Sequence, residues 1–372
     1  MHIVLFFTFD ISLTSWKDTG LLEREIKLYK YLLENHEIKF TFITFGDSSD
    51  KEIKGFPKEI EVVPVYELIK HSNVKLLRFL KSFVLPFKLR KVISKADILK
   101  TNQLNGAWVP VMAKIMFRKK LFIRTGYDPY NFSKKQEKSF IITMGYFFLT
   151  QISLIFSNIF TVTSLQDKKN IGKYFIRTEK IRVRPNWINV GSYPNLENRL
   201  KDRILCVGRL EQQKNFKLLI ESLKNSQTTI DIVGDGSLKE DLIMLAEKYS
   251  VNLNLLGTLS NDELLKLYPK YKIFVLSSLY EGNPKVLLEA MAAGCLVLAN
   301  KIESVDEIIK NEENGILFDI NDLDLISIIN KFENQPSEIE YMRKNAYLSV
   351  QENNSFENAV DKELLDYKDL VS

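Results

Sequence analysis

The sequence predicts an α/β protein built from two doubly wound, Rossmann-like halves. Short apolar runs alternate with helical patterns along almost all of its 372 residues, and such alternation is typical of parallel sheets covered by helices on both faces. A chain of this length with 45% hydrophobic residues can bury two cores of ordinary size. Because ligands of such sheets bind beyond the carboxyl ends of the strands, we expect the halves to face each other across a ligand-binding cleft.

Thirteen short apolar runs are predicted to be the strands of these sheets. In the first half they are residues 3–7, 39–45, 61–65, 98–102, 121–125, 159–163 and 181–184. In the second half they are residues 204–207, 229–233, 252–256, 273–276, 296–299 and 316–318. A link rich in Pro, Gly and Asn, residues 185–198, separates the two sets. We therefore expect a first domain of residues 1–187, a second domain of residues 188–354, and a last helix that returns residues 355–372 to the first domain.

The net charge of +5 conceals two halves of opposite sign. Residues 1–187 hold 32 Lys and Arg against 17 Asp and Glu, whereas residues 188–372 hold 20 against 30. Within the first half, residues 51–187 carry 27 basic and 9 acidic side chains. One lobe should therefore favour an anionic partner, and nucleic acid, acidic lipid and diphosphate-linked substrates all qualify.

The cysteines and the first residues indicate a cellular compartment. Cys206 and Cys295 lie inside apolar, strand-like runs, which favours buried thiols in a reducing environment over a disulfide. The sequence has no CxxC or Cys/His cluster, and we expect no metal site. The start MHIVLFFTFD lacks the basic leader and cleavage site of a signal peptide and is predicted to be a core strand. We therefore expect a cytoplasmic protein.

The segment YEGNPKVLLEAMAAGCLVLA, residues 280–299, predicts an anion-binding site at the start of a helix. A buried strand leads into a short loop, and Pro284 is expected as the first helical residue, where its missing N–H costs nothing. The helix should end near Gly294. Amide groups at a helix N-terminus attract phosphate. The expected backbone donors are Gly282, Asn283, Lys285, Val286 and Leu287.

Two carboxylates flank this helix start. Glu281 lies in the mouth of an anion site, where its charge is unfavourable unless it binds something neutral and rich in hydroxyls beside the phosphate, as a sugar is. Glu289 lies five residues beyond Pro284, roughly 7.5 Å along the helix, a suitable distance for a ribose. On spacing alone, a solvated helix with two surface glutamates fits equally well.

Two cations at another strand end suit a diphosphate. Gly208 ends the predicted strand 204–207, and Arg209 and Lys214 follow in the loop. A guanidinium and an ammonium would neutralise a diphosphate and stabilise it as it leaves. Surface residues beside a helix start are the alternative. Further glycines that approach a ligand or merely form turns follow other strands: Gly234, Gly236 and Gly257.

In this order along the chain, these features resemble the donor-nucleotide domain of glycosyltransferase family 4, whose members are retaining enzymes of the GT-B fold. The resemblance covers the GRL-x4-N sequence from Gly208, the VGDG turn, Gly257, the E-x7-E pair of Glu281 and Glu289, EAMAAG, and the Asn-Gly pair before ILF. The segment RVRPNWIN resembles the PNG-type interdomain stretch of the family, with Trp187 in place of the usual glycine.

The resemblance implies a role for each of these residues. Arg209 and Lys214 would hold the diphosphate of a nucleotide-sugar donor. Glu281 would bind hydroxyls of the donor sugar, and Glu289 would bind the ribose. The backbone of residues 283–287 would add contacts to the sugar and the phosphate.

The first half departs from this family pattern. Family members commonly carry a histidine at the end of a first-domain strand near the reacting sugar, but this chain has only His2, His36 and His71, none of which can take that place. The corresponding stretch is LFIRTGYDPY, residues 121–130, which resembles the RTGY variant of bacterial surface-polysaccharide transferases. It implies a set of acceptor-side residues: Arg124, Thr125, Tyr127 and Asp128. A buried structural role for Arg124 is the alternative. Gly20 would lie where family members bring the backbone close to the donor phosphates.

Two segments bear on membranes. Residues 139–166 contain no charged side chain and are long enough to span a bilayer, but polar interruptions and a strand-like end favour a buried helix and strand. Residues 74–95 mix seven Lys and Arg with Leu, Phe, Val and Ile, as does a helix lying on an anionic membrane surface. Pro86 should kink this helix. A solvated helix that packs on its own sheet is equally compatible.

The family resemblance implies a retaining hexosyltransferase, and together with these observations it predicts one that is metal-independent and has no cofactor. Its donor would be a nucleotide-diphosphate sugar, and its acceptor a glycan or polyprenyl-diphosphate-linked glycan in bacterial surface polysaccharide synthesis. We expect a peripheral position on the inner face of the cell membrane and no nucleic-acid partner. A nucleotide-sugar epimerase of the same fold is the first alternative, although the chain offers few acid/base candidates. A non-catalytic GT-B partner subunit is the second, because the expected histidine is missing.

Overall fold

The computed structural model describes residues 1–195, 197, 199–321, 323–333 and 335–372. The chain forms two compact units, Met1–Pro185 with Val360–Ser372 and Asn186–Ala359. The sequence-based division lies after residues 187 and 354. Each unit contains one parallel sheet of its own.

The first unit has seven parallel strands in the order β3-β2-β1-β4-β5-β6-β7. Its elements to the end of the third strand are β1 (His2–Phe6), α1 (Leu13–Asp18), α2 (Leu22–His36), β2 (Lys39–Thr44) and β3 (Glu61–Pro64). Then follow α3 (Val65–Leu68), α4 (Lys75–Ser82), α5 (Leu85–Lys88), α6 (Arg90–Lys95), β4 (Ile98–Thr101), α7 (Trp108–Phe117) and β5 (Lys120–Arg124). The last are α8 (Pro129–Lys135), α9 (Phe140–Phe156), β6 (Ile159–Val162), α10 (Leu165–Tyr174) and β7 (Ile181–Val183).

The second unit has six parallel strands in the order β10-β9-β8-β11-β12-β13. Its first elements are β8 (Leu200–Val207), α11 (Phe216–Ser222), β9 (Thr229–Val233), α12 (Lys239–Tyr249), β10 (Leu253–Gly257), α13 (Asn261–Leu267) and β11 (Tyr271–Leu276). Then follow α14 (Lys285–Ala292), β12 (Leu296–Asn300), α15 (Glu303–Asp306), β13 (Ile316–Phe318), α16 (Leu325–Glu333) and α17 (Pro336–Asn354). The last helix of the chain, α18 (Phe356–Val371), begins in the second unit and continues into the first.

Each of the predicted strands is present. Apolar runs identify them because buried parallel strands are apolar along their whole length. The largest difference is at β8, which begins at Leu200 although the apolar run starts at Ile204. Leu200 pairs with Tyr271 of β11, so backbone pairing continues where the side chains are already exposed. A criterion based on apolar side chains misses such an extension.

The first sheet is covered on both of its faces. Val4 and Phe6 of β1 face a core to which α5, α6, α7, α9 and α10 contribute. On the opposite face, Phe42 of β2 packs against Tyr29 of α2, with ring centroids 5.2 Å apart. Phe122 of β5 packs there against Tyr367 of α18 at 6.0 Å. Alternation along each strand thus supplies two cores from one sheet.

The predicted return of the last helix is confirmed, because α18 belongs to the first unit from Val360 onward. Lys100 of β4 is 1% exposed, donates to Glu363, and donates to Tyr367 Oη at 3.0 Å. Arg184 makes a bidentate pair with Asp366, at 2.7 and 2.5 Å. Buried charges are tolerated only when paired in this way, so these contacts fix α18 on the sheet.

The two segments with predicted membrane properties are more broken and more exposed than expected. Residues 74–95 form three short helices, α4, α5 and α6, with Pro86 in the first turn of α5. The charge-free segment forms α9 and β6 as predicted, but α9 is not buried on all sides, since Ile141 is 82% exposed. Among the described residues, no helix is both long enough and apolar enough to cross a membrane.

Candidate functional site

The predicted diphosphate and sugar contacts, Arg209, Lys214 and Glu281, lie in loops at the carboxyl edge of the second sheet. β8 and β11 are neighbours, so the loops that follow them, residues 208–215 and 277–284, lie side by side. Leu279 N–H donates to Gln213 O at 2.8 Å, Gln213 Nε2 donates to Tyr280 O at 2.8 Å, and Ser277 Oγ donates to Lys214 O at 2.7 Å. These bonds fix the two loops to each other before any ligand binds.

Lys214 and Glu281 form an ion pair between these loops. Lys214 Nζ lies 2.6 Å from Glu281 Oε1, and the two side chains are 14% and 11% exposed. Ser304 Oγ donates to Glu281 O at 2.9 Å and holds the backbone of that loop. The arrangement brings together an ammonium and a carboxylate that lie 67 residues apart in sequence.

Arg209 lies in the same loop as Lys214 and is exposed. Within the described parts of the chain, its guanidinium makes no hydrogen bond or ion pair. The loop thus offers one cation held by Glu281 and a second, Arg209, that can turn toward an incoming anion. Together they can neutralise two charges of a diphosphate.

The glycines of this edge allow loops to pack on each other. A Cβ on Gly208 would lie 2.8 Å from Lys214 Cε, so the lysine stem crosses this residue. A Cβ on Gly234 would lie 2.0 Å from Gly208 O, and one on Gly236 would lie 2.6 Å from Leu210 O. The missing side chains of Gly234 and Gly236 therefore make room for the neighbouring loop, which agrees with the alternative that they form turns, and their approach to a ligand stays a prediction.

Gly257 differs from these glycines. Its φ of +69° is left-handed, and nothing lies within 4 Å of where its Cβ would be. Its carbonyl accepts the Gly234 N–H at 2.8 Å. The residue is therefore required for its backbone conformation, and the space beside it is open.

The start of α14 differs in two details from the prediction. Pro284 is the N-cap of α14, not its first helical residue. Leu287 N–H donates to Pro284 O at 3.1 Å, so the prediction that Leu287 offers a free amide to an anion is wrong. The first turn of the helix already uses this N–H group in a backbone hydrogen bond. The predicted end is confirmed, since α14 stops at Ala292, two residues before Gly294.

Two contacts to this loop were not predicted from the sequence. Asn186 N–H donates to Asn283 Oδ1 at 2.9 Å, and Asn186 Nδ2 donates to Asn283 O at 2.6 Å. Lys285 Nζ lies 5.3 Å from the centre of the Trp187 ring. The sequence did carry one indication of the second contact. Trp187 replaces the family's glycine, and an indole at such a place needs a surface or a cation to pack against.

Glu289 is not a surface residue. It is 5% exposed and accepts a hydrogen bond of 3.0 Å from Tyr268 Oη, and Tyr268 itself is fully buried. Keeping a carboxylate in such a place costs stability unless polar groups surround it. The alternative of two solvated glutamates is therefore excluded by the structure.

In the first unit, the RTGYD segment forms a strand end, a turn and a helix cap. Thr125 is 1% exposed and donates from Oγ1 to Tyr127 O at 2.6 Å. Asp128 is fully buried and caps α8 by accepting the N–H groups of Tyr130 and Asn131 at 3.1 and 3.2 Å. Burial raises the pKa of Asp128 to about 6. The predicted acceptor contacts of Thr125 and Asp128 do not fit these buried, structural positions.

The remaining residues predicted in the first unit differ in exposure. Tyr127 is 40% exposed, with its ring 4.7 Å from that of Phe132. Arg124 is half-buried beside Tyr29. Burial raises the pKa of Tyr29 to about 12, and the nearby Arg124 guanidinium acts against this rise. This position agrees with the alternative that Arg124 has a structural role. Gly20 is exposed, has a φ of +68° and follows the end of α1.

The geometry of the second unit agrees with a family comparison. Residues 194–349 match the family of glycosyl transferases group 1. The chain is 26% identical over 276 residues to an Escherichia coli UDP-Gal:alpha-D-GlcNAc-diphosphoundecaprenol alpha-1,3-galactosyltransferase. The aligned region covers 68% of this chain and 70% of the relative. It is 24% identical over 321 residues to a Campylobacter jejuni alpha-1,4-N-acetyl-D-galactosaminyltransferase that acts on a PP-undecaprenol-linked glycan, covering 82% and 83%. These similarities support a glycosyltransferase.

Solved structures share the whole fold. Sucrose-phosphate synthase from Thermosynechococcus elongatus matches with a TM-score of 0.81 at 17% identity, covering 100% of this chain and 99% of that one. Anabaena HepE in complex with UDP matches with a TM-score of 0.78 at 16% identity, covering 99% and 100%. The protein has the GT-B fold.

Proposed function

We propose that this protein is a retaining glycosyltransferase of family 4. It moves a hexosyl group from a nucleotide-diphosphate sugar to a glycan or polyprenyl-diphosphate-linked acceptor in bacterial surface polysaccharide synthesis. The observation that carries the proposal is the Lys214–Glu281 pair beside Arg209, at the carboxyl edge of the second sheet. The acceptors named for the relatives, which are linked to undecaprenol diphosphate, support the lipid-linked class.

The ion pair suggests how a donor would be recognised. A diphosphate would attract Lys214 and Arg209, and Glu281 would then exchange the ammonium for hydroxyls of the sugar. Because both partners are already held by their loops, little ordering is needed on binding. Glu289 would accept hydroxyls of the ribose, and the amide groups at the start of α14 would supplement the phosphate contacts.

The same residues can serve the chemical step. The bond from the anomeric carbon to the donor phosphate oxygen breaks, and a bond to the acceptor hydroxyl oxygen forms on the same face. The hydroxyl proton passes to the departing phosphate oxygen, so no histidine is required. Lys214 and Arg209 stabilise the charge that develops on the diphosphate.

A binding screen tests this proposal. A ligand that binds the native state stabilises it, by about 2.7 kcal/mol at a hundredfold excess over Kd, and therefore raises the melting temperature. We expect stabilisation by a nucleoside diphosphate and its sugar, and transfer to a diphosphate-linked glycan with the anomeric configuration retained. Interconversion of free nucleotide sugars would favour the epimerase instead. Donor binding without turnover until a second protein is added would favour the partner subunit.

Glu289→Ala should mainly weaken nucleotide binding. A lost hydrogen bond to a charged group costs about 1.5–3 kcal/mol, because the carboxylate no longer accepts the ribose hydroxyls. Calorimetry with the nucleoside diphosphate measures the change. Tyr268→Phe is the matched control, since it removes one hydrogen-bond donor to Glu289 and keeps the carboxylate. Equal affinity of Glu289→Ala and wild type would remove Glu289 from the site.

Transfer should survive EDTA. Arg209 and Lys214 supply the positive charge that a divalent ion brings in metal-dependent transferases. The sequence has one Asp-x-Asp triplet, residues 322–324, which its pattern places in a helix. Asp324 instead precedes α16, which begins at Leu325, and residue 322 lies outside the described residues. Initial rates measured before and after chelation provide the test. Activity that EDTA abolishes and Mg²⁺ or Mn²⁺ restores would contradict metal independence.

We also propose that the protein acts in the cytoplasm, attached to the inner face of the cell membrane. A polyprenyl-linked acceptor is confined to that surface. The first half carries 32 basic against 17 acidic side chains, a charge that anionic lipids attract.

A further inference from the structure

Three helices cover neighbouring parts of one face of the first sheet. α4 is joined to α7 by a hydrogen bond of 2.8 Å from Trp108 Nε1 to Ser82 Oγ. α7 packs against α9. All three contribute side chains to the same core, including Phe79, Val109 and Leu154. Their outward sides therefore lie next to one another on the surface of this unit.

α9 is apolar on its outer side as well as on its inner side. Toward the protein it places Leu154, which belongs to the core, together with the buried hydroxyls of Thr150 and Ser153. Toward the outside it places Ile141, Phe148 and Ile152, which are 82%, 60% and 42% exposed. Positions 141, 148 and 152 form one stripe at helical spacing. A helix whose outer side faces water carries polar residues there, so the exposed stripe indicates an apolar environment outside.

α4 and α7 extend this apolar surface. The outward apolar side chains of residues 74–88, which contain α4 and α5, are between 45% and 63% exposed: Val74, Leu76, Leu77, Leu80, Val84 and Phe87. On α7, Ile115 and Met116 are 53% and 37% exposed. Large contiguous apolar areas on a protein surface mark an interaction site.

Basic side chains lie on and beside the helices that carry this surface. Lys75, Lys88 and Lys91 are exposed on α4, α5 and α6, and Lys138 is exposed just before α9. α9 itself carries no charge. A second copy of this chain would bring like charges together across such a surface, which disfavours a dimer. An anionic bilayer satisfies both features, with phosphates for the lysines and acyl chains for the apolar residues.

We propose that the outer faces of α4, α7 and α9 insert into one leaflet of an anionic lipid bilayer, with α9 lying in the plane of the interface. The 17 residues of α9 span about 25 Å, less than the hydrocarbon core of about 30 Å, so the helix lies along the membrane and does not cross it. This inference deepens the proposed membrane location. It adds an apolar contribution that salt does not screen.

Vesicle cosedimentation tests the insertion. The wild type should bind phosphatidylcholine vesicles that contain phosphatidylglycerol, and part of it should stay bound at about 1 M salt, where charges are screened beyond ~3 Å. The variant Ile141→Ser/Phe148→Ser/Ile152→Ser should bind about tenfold more weakly and lose most of the fraction that stays bound at high salt. Lys88→Glu/Lys91→Glu should lose affinity mainly at low salt. Arg78 is unsuitable for this purpose because it forms a bidentate pair with Asp10.

Met244→Ser is the matched control, since Met244 is 59% exposed on the second unit. It should bind vesicles like the wild type. Full release of the wild type by salt, or unchanged binding of the α9 variant, would overturn the insertion. A concentration-dependent dimer that the α9 variant abolishes would show a second copy instead. Thermal shifts with the nucleoside diphosphate, measured on the same proteins, keep this result separate from the proposed function, because the donor site lies in the other unit.

Discussion

Lys214→Ala and Glu281→Gln should each reduce transfer about a hundredfold while the fold stays intact. Removing one preorganised contact to a developing charge costs roughly 3 kcal/mol of transition-state stabilisation. Lys214 would lose its contact to the departing diphosphate, and Glu281 its charge on the sugar hydroxyls. Rates with a donor identified in the binding screen measure the effect, and melting temperatures check the fold.

The ion pair between the two residues sharpens this test. If both act on the same donor, the double variant should lose much less than the product of the two single effects, since residues that act as a unit are not additive. Lys217→Ala is the matched control, because this nearby lysine is 48% exposed and pairs with Asp241 at 3.6 Å. Wild-type turnover in either single variant would refute the site assignment.

Glu363→Ala should destabilise the first unit by about 3–5 kcal/mol. The substitution leaves Lys100 buried without its carboxylate, and breaking a buried pair from one side is more costly than removing both charges. Burial lowers the pKa of Lys100 below its value in the unfolded chain. The unfolded state therefore binds the proton first, so the stability of the first unit should fall as the pH falls between these two pKa values. Removing the carboxylate lowers the folded pKa further and should extend that fall to lower pH.

Denaturant unfolding followed by tryptophan fluorescence measures this loss, with Trp16 and Trp108 reporting on the first unit. The double variant Lys100→Met/Glu363→Leu should recover most of the stability, since an apolar pair of similar volume needs no counter-charge. Lys368→Ala, an exposed change on the same helix, should have little effect. A single variant as stable as the wild type would mean that Lys100 is neutral in the folded protein.

The strands were predictable because their signal is local. A parallel strand covered on both faces must be apolar along its length, and the runs around Val4, Ile123 and Val275 satisfy that condition without reference to the rest of the chain. The end of α14 near Gly294 was predictable for a related reason. Gly294 has a φ of +66°, a conformation that favours glycine after a helix.

Burial could not be derived from spacing. The pattern around Glu289 fits a solvated helix as well as a buried one, and only Tyr268, brought in by the fold, distinguishes them. Ile141 and Phe148 belong to a stretch whose composition predicted a core helix, yet the structure leaves them outside. Composition measures how apolar a helix is, and not which side the sheet covers.

The sequence by itself determined the class of fold, the number and place of the strands, and the loops that carry Arg209, Lys214 and Glu281. Only the tertiary structure decided which side chains meet. Lys214 and Glu281 are 67 residues apart, Asn186 and Asn283 are 97 apart, and Lys100 and Glu363 are 263 apart. Backbone periodicity is set by neighbours within a few residues, whereas such pairs depend on strand order and helix placement, which a single sequence specifies only through the folded whole.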